Sequence, residues 1–234
     1  MLPFLAPLDP FPPVNSARAD MGGLLAVGGG LSPDRLLDAY RQGIFPWGTV
    51  ENQPLWYSPD PRMVLFPPEF RLTRSLRKIL RTGRFEVRFD DDFPAVIAAC
   101  AATPRPGQDG TWISPEMMNA YIRLHELGWA HSVECYEEGD LVGGLYGLAI
   151  GQMFYGESMF ARRDNASKIA FAHLIRYLTA HNFAMIDCQM RTEHLASLGG
   201  REIPRSDFLA RLARLTAAGS SRAAWSAEQL ELAW

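Results

Sequence analysis

Apolar and polar positions change period along the chain, and the periods mark out its elements. His131 to Glu137 reads as a strand, Glu138-Gly139-Asp140 as a turn, Leu141 to Ala149 as a strand, Gly151-Gln152 as a turn and Met153 to Phe160 as a third strand. A long apolar helix from Ala166 to His181 and a strand from Phe183 to Met190 follow. Phe85 to Phe89 alternates as a strand. Ser32-Pro33 opens a helix, with Ser as the cap and Pro in the first turn. Leu36, Leu37 and Tyr40 are its apolar stripe and Gly43 its stop. Further helices are expected over Thr73 to Thr82, Phe93 to Ala102, Ser114-Pro115 to Gly128 and a short stretch near 193–198. The last is expected over Asp207 to Ala218 behind the cap Ser206. Residues 1–20 are proline-rich and read as an irregular arm. Residues 44–70, rich in aromatics and proline, read as loop or short strands, and 103–111 as a Pro/Gly loop.

Three antiparallel strands, a helix and another strand make a mixed sheet with helical cover. That order is the core order of GNAT-type acyltransferase folds. The chain is therefore read as α+β, with a GNAT-like mixed sheet and helices on its faces over residues 62–234. A small N-terminal α/β domain over residues 1–61 precedes it. A strand order does not by itself give a function.

Composition narrows the class. Hydrophobic residues are 47% of the 234 and charged residues 21%, which fits a globular chain with a sizeable core. The longest apolar run, Ala95 to Ala102, is far short of a membrane span. The amino terminus is apolar but broken by Pro3, Pro7, Pro10, Pro12 and Pro13, so it does not read as a signal peptide. Cys100, Cys135 and Cys188 are odd in number and scattered, which fits a reducing compartment, and a cytoplasmic location is expected. His125 and His131 are six apart and His173, His181 and His194 are isolated, so no metal is expected. A formal charge of −3 does not advertise nucleic acid, so RNA binding would need a local patch.

Four sets of residues could carry chemistry. Asp187 and Gln189 lie two apart on a strand and so share a face, where the carboxylate could accept from the amide NH2 and orient its oxygen. The alternative is a structural polar pair at a sheet edge. Gly156-Glu157-Ser158 interrupts an apolar, aromatic strand. Glu157 must face water, a cation or a ligand, and the glycine beside it marks a bulge or a close backbone approach. The stretch from Arg71 to Arg88 holds seven Arg or Lys and one Glu. Within it Arg74, Arg77, Lys78 and Arg81 fall on one helix face, a footprint for phosphates unless it is merely solvated. Trp47, Trp56, Trp112 and Phe154 are either core or pocket aromatics. Trp47 and Trp112 sit in Pro/Gly-flanked segments that suit a pocket rim.

Two motifs are missing. Gly28-Gly29-Gly30 lacks the Lys-Ser/Thr of a P-loop. A coenzyme-A-binding GNAT domain carries Arg/Gln-x-x-Gly-x-Gly/Ala before its long helix. Here that place reads Arg162-Arg163-Asp164-Asn165-Ala166-Ser167, without the glycine.

A series of motifs recurs in order. It includes Gly43-Ile44-Phe45-Pro46-Trp47, Trp56 with Ser58-Pro59-Asp60-Pro61-Arg62, Gly110-Thr111-Trp112-Ile113 and Leu124-His125-Glu126-Leu127-Gly128. Gly156-Glu157-Ser158-Met159-Phe160, Ile186-Asp187-Cys188-Gln189 and Ala196-Ser197-Leu198-Gly199 follow. From about residue 22 to 212 the chain resembles the leucyl/phenylalanyl-tRNA–protein transferases. The resemblance implies a leucyltransferase of the bacterial cytoplasm, working as a monomer without metal or coenzyme. Such an enzyme moves Leu or Phe, and Met less well, from aminoacyl-tRNA to the α-amine of proteins that start with Arg or Lys. The acceptor is thereby marked for N-end rule degradation. The resemblance makes Asp187 and Gln189 the catalytic pair and puts Glu157 in the acceptor site. It assigns Trp47, Trp112, Leu145, Phe154, Leu174, Leu178 and Ile186 to an apolar aminoacyl pocket. The basic stripe would then meet tRNA. Two other readings stand beside it: a coenzyme-A-dependent N-acyltransferase, disfavoured by the missing glycine, and a non-catalytic module binding basic amino termini or tRNA.

Overall fold

Two sheets are built one after the other along the chain, as seen in a computed structural model that describes residues 2–104, 111–217 and 225. The first takes β1 (Phe4–Leu5), β2 (Leu24–Gly28), β3 (Phe45–Val50) and β4 (Gln53–Tyr57), in the order β1-β2-β4-β3. Glu51 and Asn52, both at positive φ, make the two-residue hairpin turn between β3 and β4. Helix α1 (Pro33–Arg41) connects β2 to β3. Ser32 accepts from the Arg35 N–H at 3.3 Å, the cap expected from the sequence.

The second sheet has seven strands in the order β11-β5-β10-β9-β8-β7-β6. Their ranges are β5 (Arg62–Leu65), β6 (Glu86–Phe89), β7 (Ala130–Glu137), β8 (Asp140–Ile150), β9 (Met153–Ala161), β10 (Met185–Gln189) and β11 (Arg201–Ile203). Every pairing is antiparallel except β9 with β10. The connecting helices are α2 (Arg74–Leu80), α3 (Phe93–Ala102), α4 (Pro115–Glu126), α5 (Ala166–Ala180), α6 (Glu193–Ser197) and α7 (Arg205–Ala217). The architecture is mixed α+β, and three antiparallel strands, a long helix and a parallel return strand occupy residues 130–189.

Strand alternation sorts the side chains into two cores. Val64, Tyr146, Tyr155 and Met185 face one side, under α1, α3, α4 and α7. Leu65, Leu145, Phe154 and Ile186 face the other, under α5, with Leu76 of α2 beside it. Leu25 and Trp56 of the first sheet join the first core. The Trp56 indole donates to the Gly28 carbonyl at 2.7 Å and is fully buried, so this aromatic is structural.

Several expectations are corrected. Phe4–Leu5 pairs with β2 inside the proline-rich arm, and β2 and β11 were not expected. All three are short runs whose partners, not their own patterns, make them strands. The last helix begins at Arg205 rather than behind Ser206, because the Pro204 carbonyl accepts from Asp207 and Phe208. The 103–111 loop lies mostly outside the described residues. No helix among the described residues is long and apolar enough to cross a membrane.

Candidate active site

The parallel pairing of β9 and β10 lasts three residues and stops at Tyr155 and Asp187. Beyond that point Gly156–Ser158 and Cys188–Met190 border a cavity of about 350 Å³ between the diverging strand ends. Leu145, Phe154, Leu174 and Ile186 line it and are buried, while Trp47 and Trp112 line it half-buried. Glu157 and Gln189 supply polar groups at the same cavity.

Leu178 does not line the cavity and is corrected to a core position. Helix α5 links the parallel strands β9 and β10 and so runs back against their direction, and each turn carries its side chains away from the strand ends that border the cavity. Leu174 still reaches the cavity. Leu178, one turn on, packs in the core with no exposure to solvent.

Glu157 is the extra residue of a β-bulge. Tyr146 pairs with Ser158 and Gly147 with Gly156, leaving Glu157 unopposed. Gly147 is required there, since a Cβ would lie 2.2 Å from the Tyr155 carbonyl oxygen. The bulge turns the Glu157 carboxyl into a buried polar cluster, where it is 8% exposed. Its Oε1 accepts from the Tyr40 hydroxyl and the Gln189 Nε2, both at 2.8 Å, and its Oε2 accepts from the Tyr121 hydroxyl at 2.9 Å. The two tyrosine hydroxyl oxygens also lie within hydrogen-bond distance of each other. Burial pushes the Glu157 carboxyl up to about 8, although all three donors favour the ionised form.

Asp187 and Gln189 do not pair through their side chains. A second bulge lies between them, and Gln189 adopts φ +63°. The period of two is lost there, so the two side chains part. Asp187 is fully buried and accepts two bonds from Arg62, from Nε at 2.8 Å and from Nη2 at 2.6 Å. Its Oδ1 also accepts from the Gln189 backbone N–H at 2.9 Å. Asp187 thus fixes the backbone of Gln189, and Glu157 fixes its amide. With Nε2 held by Glu157, the Gln189 side-chain oxygen is the end left for another donor.

Sequence reasoning missed Arg62, Tyr40 and Tyr121 as site residues. Arg62 carried a usable signal, because an arginine followed by Met63-Val64-Leu65 in a buried strand needs a buried carboxylate. Tyr40 was legible only as part of an apolar stripe, since periodicity does not see a hydroxyl.

The basic residues are exposed on α2 and just beyond it. Arg74, Ser75, Arg77, Lys78 and Arg81 border one shallow groove. The Thr73 hydroxyl accepts from the Leu76 N–H at 3.2 Å and fixes the start of the helix. Leu76 then turns into the core and the basic side chains outward. Among the described residues no group of three or more His, Cys, Asp or Glu is placed to hold a metal ion.

Comparison with known proteins identifies the family. The family model for leucyl/phenylalanyl-tRNA protein transferase matches residues 64–213, and that for the N-terminal domain of the same family matches 29–60. A leucyl/phenylalanyl-tRNA–protein transferase of Dechloromonas aromatica (strain RCB) is 75% identical over 231 residues, covering 99% of each chain. One of Aromatoleum aromaticum is 58% identical over 98% of this chain and 96% of its own. Among solved structures, FemX aligns over 77% of this chain and 70% of its own at 12% identity, with a TM-score of 0.49. A GCN5-related N-acetyltransferase from Kribbella flavida aligns over 73% and 60% at 12% identity, with a TM-score of 0.38. The chain belongs to the leucyl/phenylalanyl-tRNA–protein transferase family and is an aminoacyltransferase.

Proposed function

We propose that this aminoacyltransferase moves Leu or Phe, and Met less well, from aminoacyl-tRNA to the α-amine of proteins that begin with Arg or Lys. The product is an N-terminally extended protein marked for N-end rule degradation. Residues 1–61 form the small domain and 62–234 the catalytic one, and the enzyme acts as a monomer without metal or coenzyme. The observation that carries this reading is an apolar cavity that ends on Glu157 and Gln189.

The cavity takes the aminoacyl side chain. Leu and Phe have an unbranched Cβ and a bulky apolar tip, whereas Val and Ile branch at Cβ and are stiff at χ1, and the cavity is read as a slot that selects on this difference. The ester carbonyl then lies by Gln189. The acceptor amine attacks it, the C–N bond forms and the C–O bond to the ribose breaks. Converting an ester to an amide is downhill, so the protein's main work is positioning. The Gln189 side-chain oxygen accepts a hydrogen bond from the attacking amine. Glu157 meets the cationic acceptor, whose charge draws the carboxyl into its ionised form. Arg74, Arg77, Lys78 and Arg81 hold tRNA phosphates without reading bases.

The test is transfer by the purified protein to a peptide beginning with Arg, from labelled Leu-tRNA or from acetyl-coenzyme A. Transfer from Leu-tRNA is expected. Transfer from coenzyme A alone, or none, overturns the reading.

A further inference from the structure

Aminolysis must carry a proton from the attacking nitrogen to the departing ribose oxygen. The groups named so far do this poorly. The Glu157 carboxyl is enclosed by Tyr40, Tyr121 and Gln189, each hydrogen-bonded to it. The amide oxygen of Gln189 is a very weak base. Burial raises the Cys188 thiol far above neutrality, and a phenol hydroxyl such as that of Tyr146 is a weak base. The cavity has one more titratable wall residue, His194 in the first turn of α6.

Its position is built. The Thr192 hydroxyl accepts from the Leu195 N–H at 3.2 Å and starts α6 directly after the Gln189 strand. That geometry puts His194 and Leu195 on the cavity wall. The imidazole is half-buried, and among the described residues neither of its ring nitrogens has a hydrogen-bond partner. Other histidines are committed. His125 bonds the Ala130 carbonyl at 2.9 Å, His131 the Asp90 carboxylate at 2.7 Å and His181 the Tyr177 carbonyl at 2.8 Å.

The charges around it favour the neutral ring. Burial, helped by Lys168 on α5, holds the imidazole below its ordinary range. Arg191 and Glu193 flank it but pair with each other at 2.7 Å, and Arg191 also reaches Glu202 of β11 at 3.8 Å. Glu157 on β9 is engaged with the two tyrosines and Gln189, and Cys188 on β10 remains a thiol.

We propose that His194 is a catalytic residue, the general base that takes the proton from the attacking α-amine and returns it to the leaving ribose oxygen. The inference rests on the aminoacyl-tRNA reading above. The amine lone pair forms the C–N bond, and a ring nitrogen of His194 accepts the N–H proton. The carbonyl re-forms as the C–O bond breaks, and the imidazolium gives its proton to the ribose oxygen. Amine and ester become amide and alcohol, with the imidazole unchanged.

The experiment measures kcat/KM for Leu transfer to an Arg-starting peptide across pH, with the full-length wild type, His194→Gln and His194→Ala. Equilibrium binding of Leu-tRNA is measured beside it. Both variants should lose roughly 10²–10⁴-fold in kcat/KM and keep their Leu-tRNA affinity. The wild-type profile should steepen on the acid side as the imidazole takes up a proton, and this extra fall should vanish in both variants. Added 4-methylimidazole should restore part of the His194→Ala rate. Variants with the wild-type rate, or a loss that leaves the pH profile unchanged and resists rescue, would overturn the proposal in favour of a ribose hydroxyl or water. A wild type that transfers nothing from Leu-tRNA would overturn the underlying reading and this proposal together. An active wild type with indifferent variants sinks the proposal alone.

Discussion

Arg62 and Asp187 form a two-bond ion pair in which neither side chain is exposed to solvent. The guanidinium does more than neutralise the carboxylate. It donates to the Gly43 carbonyl at 3.1 Å and lies 4.6 Å from the ring centres of Phe45 and Phe208. It therefore ties the end of α1, strand β3 and helix α7 to the strand that carries Gln189. Removing one partner strands the other charge in a dry interior, which costs about 3–5 kcal/mol. Asp187→Ala should show that loss in urea unfolding as well as a loss of transfer. A stability change below about 1 kcal/mol would mean that Arg62 finds another acceptor.

Gln189 is coupled to Glu157 rather than to the Asp187 side chain, because its amide nitrogen donates to Glu157 Oε1. A double-mutant cycle on kcat/KM with Gln189→Ala and Glu157→Ala should give a coupling of about 0.5–3 kcal/mol. The double variant should then be little worse than the poorer single one. Independent, additive losses would show that the amide is oriented by something else.

The elements near the site were legible because their signals are local. Ser32-Pro33 and Ser114-Pro115 cap helices, and alternation marks β7, β8 and β9. Glu157 was visible as a carboxylate in an apolar strand, and the neighbouring glycine announced the bulge. The pairing of Asp187 with Gln189 was misread because an even spacing implies a shared face only in an unbroken strand. The bulge between them depends on strand β5, more than a hundred residues earlier in the chain. Tyr40 and Tyr121 escaped for a related reason. Their hydroxyls gain meaning only when α1 and α4 converge on one carboxyl.

Donor selectivity should respond to Leu174 and not to Leu178. Leu174 borders the cavity, whereas Leu178 lies in the core. Leu174→Phe should shorten the cavity and lower Phe transfer relative to Leu transfer by about 1–3 kcal/mol in kcat/KM. Leu178→Phe should leave that ratio alone and cost about 1–3 kcal/mol of stability by overpacking. The ratio of the two donors, measured for each variant, decides between them.

The raised Glu157 carboxyl makes stability depend on pH. Its folded value of about 8 lies above the ordinary carboxyl value, so the folded protein holds this proton more tightly than the unfolded chain does. The resulting stabilisation is complete below the ordinary value near 4.5 and is lost as pH rises through about 8. Glu157→Gln removes a group that must ionise in a buried place. The variant should therefore gain on the wild type from about pH 5 to about pH 9, by an amount on the order of a few kcal/mol. Thermal unfolding of both proteins across that range tests this. A difference in Tm that stays constant with pH would show that Glu157 does not titrate with folding.

The exposed stripe makes the last prediction. Arg74, Arg77, Lys78 and Arg81 border one groove, and Leu76 anchors their helix against the core. Among the described residues Arg74, Arg77 and Lys78 make no salt bridge that would hold them back from a ligand. Cations on tRNA phosphates release counterions, so each lost contact should flatten the slope of log K against log salt by about 0.7–0.9. Arg74→Gln with Lys78→Gln should weaken tRNA binding and reduce the slope by roughly twice that amount, with stability nearly unchanged because both residues are exposed. A short aminoacylated 3′ fragment reaches the cavity but carries few phosphates, so its transfer should suffer much less. Salt titrations of binding, run beside transfer from whole tRNA and from the fragment, separate the outcomes. Equal damage with both donors would mean that the stripe acts on the cavity or on the acceptor, and not on the body of the tRNA.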